Sequence, residues 1–196
     1  MNATTAVIFD MDGTLLDSRL DFDLIRNELG LAGAPILEAM ESMTDADRRN
    51  AEQVLERHEQ RAAREGTLFA HAAETLTDLT RRNIRVGLLT RNSRRSVDTF
   101  LARHELAFDA IRTRDDGVNK PSPEPVWALC RSLNVEPADT MLVGDYLFDL
   151  QAARAAGSLA VLIVYGNEMP EFADQADEII GSLRDLGPLL DKRVNR

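Results

Sequence analysis

The sequence predicts an α/β protein, a parallel sheet with helices on both faces, carrying a small all-α segment inserted after its first strand. Three observations predict it. The apolar runs at 4–10, 84–89, 141–144 and 159–164 are nearly continuous, as strands buried on both faces require. Segments with helical spacing separate them, and strands that alternate with helices assemble into parallel sheets. Between the first two runs three further helical segments precede the one at 72–83, which reads as an inserted cap.

In order, residues 4–10 form the first strand. Asp17 to Gly30 carries Leu20, Phe22, Leu24, Ile25 and Leu29 at helical spacing, with Gly30 as its stop. Pro35 opens a short helix to Met43, and Thr44-Asp45-Ala46-Asp47 caps a long charged one to about Glu65. That helix has few apolar positions, Ala51, Val54, Leu55 and Ala62 among them, so a narrow buried stripe is expected. Its Arg48, Arg49, Arg57, Arg61 and Arg64 are interleaved with glutamates and read as a solvated face. Gly66 to His71 is the return linker, and His71 reads as a hinge or surface histidine. Ala72 to Asn83 is an amphipathic helix, Ile84 to Leu89 the second strand, and Ser93 caps a helix ending near His104. Ala107 to Ile111 is a short third strand. Ser122 and Pro123 start a helix in which Trp127 and Cys130, like Phe100 in the helix before, read as core. Met141 to Gly144 is the fourth strand, 148–157 a helix closed by Gly157, 159–164 the fifth strand, and Glu178-Ile179-Ile180 a last short one before a helix from Ser182. The division expected is a core of residues 1–16 and 71–196 with a cap of residues 17–70.

With 196 residues the chain can bury a full core. A formal charge of -10 disfavours nucleic acid and anionic membrane surfaces as partners, so a bound phosphate must be held locally. The single Cys130 excludes an internal disulfide, no apolar run is long enough for a bilayer, and the start of the chain has no basic region followed by an apolar one. A cytoplasmic protein, monomer or homodimer, is expected.

The chemistry concentrates at Asp10-Met11-Asp12-Gly13-Thr14. Four specified residues at about 6% background each would meet by chance in well under about one such chain in a hundred. Asp10 and Asp12 stand two apart after a strand, so their side chains share a face if the extended geometry persists, and carboxylates that close need a cation or a shared proton. Gly13 permits the sharp exit. Asp145 follows the fourth strand, and Asp149 lies four residues on. Both are hard oxygen donors of the kind magnesium accepts, although Asp149 alone could be a helix-start aspartate. Thr90 ends the second strand with Arg91 and Asn92 behind it. Lys120 is the one internal lysine, since of 23 basic residues only Lys120 and Lys192 are not arginine. In parallel sheets ligands sit beyond the carboxyl ends of the strands, where these positions can converge. A phosphate monoester facing an aspartate would be repelled by about 4 kcal/mol per charge pair near 4 Å at an effective dielectric of about 20, which a divalent ion and an ammonium would offset.

With Asp10-x-Asp12-Gly13-Thr14, Thr90, Lys120 and Asp145/Asp149 in this order over about residues 5–165, the chain resembles the haloacid dehalogenase (HAD) superfamily of hydrolases, in its phosphoglycolate phosphatase-like subfamily. The resemblance implies a Rossmann-like sheet with a helical cap after the first motif. It implies Asp10 as a nucleophile that becomes an aspartyl-phosphate and Asp12 as the acid and base. Thr90 and Lys120 would hold the phosphoryl group; Gly13 beside the aspartates, and Arg91 and Asn92 because they adjoin Thr90, are the further substrate-binding candidates. Asp10, Asp145 and the backbone carbonyl of Asp12 would bind Mg²⁺, with Asp149 as a further acidic ligand or as a group that orients the ligands from behind. The implied activity is a Mg²⁺-dependent phosphatase acting on a small phosphate ester, phosphoglycolate-like or a sugar phosphate. A phosphomutase of the β-phosphoglucomutase type and a non-catalytic binding protein of the same fold are the alternatives. By the same resemblance a dehalogenase normally lacks the second aspartate, and a phosphonate hydrolase uses a cap lysine, whereas no lysine precedes Lys120.

Overall fold

A computed structural model describes residues 4–166 and 168–194. The ends of the expected core, 1–3 and 195–196, and residue 167 within it lie outside the described residues. In chain order the elements are β1 Ala6–Phe9, β2 Leu16–Asp17, α1 Phe22–Glu28, α2 Ile36–Glu41, α3 Asp45–Glu65, β3 Thr67–Leu68, α4 Ala72–Arg81 and β4 Arg85–Leu89. They continue with α5 Arg94–His104, β5 Ala110–Arg112, α6 Glu124–Leu133, β6 Thr140–Gly144, α7 Leu147–Ala156, β7 Leu159–Ile163, β8 Glu178–Ile180 and α8 Leu186–Val194.

Six strands make one parallel sheet in the order β5-β4-β1-β6-β7-β8. β1 is its centre, with Val7 beside Val86 on one side and Met141 on the other. Because alternate residues of a strand leave on opposite faces, β1 serves two cores. Val7 and Phe9 pack in the cluster formed with Leu76, Leu79, Val97, Phe100 and Leu186, under α4, α5 and α8. Ala6 and Ile8 pack in the other, with Val126, Leu129, Leu150 and Ala153 of α6 and α7. Covering both faces accounts for strands that are continuously apolar rather than alternating. The chain turns to opposite sides of β1 when it makes β4 and β6, so a crevice opens where the carboxyl ends of these three strands diverge.

The segment between β1 and β4 has an apolar cluster of its own, built from Ile25, Ile36, Met40, Ala51, Val54 and Leu55 of α1, α2 and α3. β2 and β3, where the chain leaves and returns, pair antiparallel with Leu16 opposite Leu68. This pair replaces the expected linker, and α1 starts at Phe22 rather than Asp17, with the Asp21 carboxylate accepting from Leu24 N at 2.8 Å. Two-residue strands are too short to show a period, so nothing in the pattern distinguishes them from a helix start. The third strand lies at 110–112 instead of 107–111, and Trp127 is 38% exposed rather than core, its indole N–H donating to Ala156 O at 3.1 Å. Helix α3 buries more than an apolar stripe: His58, Glu59 and Gln60 are buried too. Among the described residues no helix is long and apolar enough to cross a membrane.

Candidate active site

Asp10 follows β1, Thr90 follows β4 and Asp145 follows β6, so three adjacent strands deliver their next residues to one end of the sheet. Asp149 enters from the first turn of α7, and Lys120 from the loop between β5 and α6. The side chains of Asp10, Asp145 and Asp149 bring a carboxylate oxygen each within 4.8 Å of one another, a spacing that suits one small cation.

Lys120 is 4% exposed and lies among these carboxylates. Its ammonium donates to Asp10 Oδ1 at 2.7 Å, Asp149 Oδ1 at 2.5 Å and Leu89 O at 3.0 Å, which uses all three of its protons. Burial alone would lower its pKa, but the charges of Asp10 and Asp149 raise it above the ordinary lysine value. One ammonium does not balance three carboxylates. Burial, with the Asp149 and Asp12 charges added, pushes Asp10 up to about 7 against the opposing pull of Lys120. Burial and the charges of Asp10 and Asp149 push Asp145 up to about 8. Two acids pushed upward together, in a cluster with one cation, are a donor set short of positive charge.

The space for this cluster is made by glycine. Gly13 has φ +74°, and a Cβ built on it would stand 2.0 Å from Asp145 Oδ2. A Cβ on Gly144 would stand 2.2 Å from Asp149 Cγ. The Gly13 N–H donates to Leu16 O at 2.9 Å, so what Gly13 supplies to the site is room and a turn rather than a donor.

Asp12 lies outside the three-carboxylate cluster. Asn92 donates from Nδ2 to Asp12 Oδ2, while Asp12 Oδ1 is buried with no hydrogen-bond partner. Burial raises its pKa too, opposed in part by the Ser18 hydroxyl nearby and by the bond from Asn92. A buried carboxyl with one oxygen fixed by Asn92 and the other without a partner at hydrogen-bond distance can carry a proton. Thr90 is buried, and its hydroxyl oxygen accepts from Asn92 N at 3.2 Å, which leaves the hydroxyl proton to donate. Arg91 turns away from this centre: its Nη2 lies 2.7 and 2.8 Å from the two oxygens of Glu38 on α2, and its guanidinium stacks 4.7 Å from the Phe148 ring. Tyr146, directly after Asp145, is 54% exposed and meets the edges of Phe148 and Phe172.

Asp10, Asp145, Asp149 and Lys120 therefore meet in the crevice with Asp12, Thr90 and Asn92 beside them, while Arg91 is directed to Glu38 and Phe148. The partners that hold them were not singled out in the sequence. Glu59 lies on the long charged helix, whose polar positions read as solvated, and neither Glu38 nor Arg114 carries a local pattern that marks it as a partner. The signal available was the double acid after Arg114, since Asp115 and Asp116 bind the start of α5 and the turn around Thr113.

A family model described as a hydrolase, haloacid dehalogenase-like hydrolase, matches residues 4–157. The chain is similar to N-acetylmuramic acid 6-phosphate phosphatase of Pseudomonas putida, 34% identical over 85% of each chain. It is similar to phosphoglycolate phosphatase of Escherichia coli, 32% identical over 94% of this chain and 91% of the relative. Among solved structures, a hydrolase from Pseudomonas syringae superposes with a TM-score of 0.80 at 22% identity, over 96% of this chain and 99% of that one, a likeness of fold.

Proposed function

The chain belongs to the haloacid dehalogenase-like hydrolases and is a phosphoric monoester hydrolase; from that premise we propose that it is a Mg²⁺-dependent phosphatase of a small phosphorylated metabolite, acting through Asp10. The observation that carries this reading is the grouping of Asp10, Asp145 and Asp149 around the buried Lys120, with Asp12 beside them. Asp10, Asp145 and Asp149 would hold the magnesium ion, with the Asp12 carbonyl that the resemblance adds, and when bound its charge would offset that of the phosphoryl group.

In the first step Asp10 attacks phosphorus, the bond to the leaving oxygen breaks, and Asp12 gives that oxygen a proton. In the second, Asp12 takes a proton from water as the water attacks the aspartyl-phosphate, releasing inorganic phosphate and restoring Asp10. Lys120 holds Asp10 in place and screens its charge. It reaches a phosphoryl oxygen only by exchanging one of its three present bonds. The Thr90 hydroxyl donates to an equatorial oxygen. Residues 17–70 are the cap in this reading, and the Glu38–Arg91 pair joins it to the loop behind Thr90. The names of the relatives support a phosphoglycolate-like or sugar phosphate as the substrate to try first, and the reading carries with it a cytoplasmic enzyme, monomer or homodimer.

The test uses purified protein and p-nitrophenyl phosphate. Phosphate release is expected with Mg²⁺ and none after chelation, and Asp10→Asn is expected to remove turnover while the far-ultraviolet spectrum stays unchanged. Undiminished release by Asp10→Asn would remove Asp10 from the role of nucleophile. A panel of phosphorylated metabolites, read as released phosphate, then ranks substrates.

A further inference from the structure

We infer that Glu59 and Arg114 form a clamp that positions the acid and base Asp12 by fixing the backbone of residues 91–93. The inference rests on the reading of Asp12 just given and extends it to two residues that do not bond Asp12 themselves.

Glu59 lies on α3, 3% exposed. One of its oxygens accepts from Arg114 Nη1 at 2.5 Å, and the other from Arg114 Nη2 at 3.1 Å and from Ser93 N at 3.2 Å. Arg114, in the turn after β5, also donates from Nη1 to Arg91 O at 2.9 Å and from its backbone N to Asn92 O at 2.8 Å. Three consecutive residues are thus each held by a backbone atom: Arg91, Asn92 and Ser93. The middle one sends its side chain to Asp12 Oδ2 and its N–H to Thr90 Oγ1. Where Asn92 stands determines where one oxygen of Asp12 is fixed and which way the Thr90 hydroxyl is turned.

Docking of α3 does not need this pair. Gln60 already joins α3 to α5, donating from Nε2 to Ser96 Oγ at 3.2 Å and accepting from Thr99 Oγ1 at 3.1 Å. A buried ion pair is also a poor device for stability, because desolvation cancels much of its attraction. What the Glu59 and Arg114 side chains do that an apolar pair could not is grip the peptide groups at 91 and 93, on either side of Asn92, and so hold the turn in which the Arg114 backbone N–H meets Asn92 O. Because Glu59 belongs to the segment inserted between β1 and β4, the alignment of Asp12 depends on that helix being seated.

The experiment compares kcat and KM for a primary alkyl phosphate and for p-nitrophenyl phosphate, whose leaving group departs without a proton. Glu59→Gln is expected to lower kcat on the alkyl phosphate about tenfold, a fraction of what general acid catalysis supplies, with KM nearly unchanged and a smaller loss on the aryl ester. Combined with Asn92→Ala it is expected to be no slower than Asn92→Ala alone, since both act through one contact. Arg114→Lys keeps the charges but not the forked bonds, and is expected to show the same pattern. It also serves as the variant of record if Glu59→Gln does not fold, as judged by thermal melting. Losses that multiply in the combined variant, or equal losses of kcat/KM on both esters, overturn the clamp, because kcat/KM reports the step in which the leaving oxygen departs. So do Glu59→Gln and Arg114→Lys enzymes as fast as the parent when Asp12→Asn is slow. An Asp12→Asn enzyme as fast as the parent on the alkyl ester removes the reading of Asp12 itself, and the clamp with it.

Discussion

Gly13 has to be glycine for two separate reasons. Its φ of +74° disfavours any side chain, and a Cβ would overlap Asp145 Oδ2. Gly13→Ala is therefore expected to cost at least about 1 kcal/mol in a melt and, by displacing Asp145, to weaken Mg²⁺ affinity measured by calorimetry. The carboxylates themselves make a pH prediction. Burial and the neighbouring carboxylates push Asp10 up to about 7 and Asp145 up to about 8 from an ordinary 3.8. A raised folded pKa means that folding favours the protonated form. That contribution is complete below about pH 4 and is lost as pH rises through 7 and 8. Cation binding uses the ionised forms and releases their protons. Mg²⁺ is accordingly expected to raise the melting midpoint more at pH 8 than at pH 6, and an equal rise at both would contradict it. The residue types of this cluster were legible in the sequence, because Asp-x-Asp-Gly-Thr after an apolar run is rare by chance. That Lys120 spends all its protons on Asp10, Asp149 and Leu89 was not, since hydrogen-bond partners 29, 31 and 110 positions apart leave no mark on local pattern.

At the scale of elements, helices with caps were the readable ones. Thr44 was expected to start the long charged helix and does: its hydroxyl accepts from Asp47 N at 3.3 Å and donates to Asp47 Oδ2 at 2.7 Å. Thr44→Ala is expected to cost about 1 kcal/mol, the usual value of a lost cap, in chemical denaturation. The Glu38–Arg91 pair ties α2 to the loop behind Thr90, with Glu38 40% exposed at its side chain. Glu38→Ala is expected to change stability by less than about 1 kcal/mol, because water screens such pairs, and a larger loss in denaturant titration would mark the contact as buried in solution. What escaped the sequence at this scale were β2 and β3, each too short for periodicity, and the buried polar face of α3. An Arg/Glu-rich helix looks solvated until another surface covers it. Here α5 and the turn around Arg114 do, so Glu59 and Gln60 are buried with partners rather than hydrated.

Over the whole molecule, β1 is where both cores and the chemistry meet. Phe9 is fully buried in one core, Ile8 in the other, and Asp10 follows them into the crevice. Phe9→Ala is expected to cost about 3–5 kcal/mol, as large-to-small core changes do. In a chain of this size that amounts to a fall of roughly 10 °C in the melting midpoint. Consecutive residues alone were enough for the fold class, the alternation of the six sheet strands with helices, the existence of the inserted helical segment and the carboxylates and lysine that meet in the crevice. Periodicity, caps and strand-end motifs are local, and a chain writes them in consecutive residues. Only the tertiary structure decided the strand order around β1, the pairing of Arg91 with Glu38, and the route from Glu59 and Arg114 through Asn92 to Asp12. Those depend on which surfaces meet, and hydrogen bonds between Glu59 and Arg114, 55 positions apart, exist only once α3 is seated beside the turn after β5.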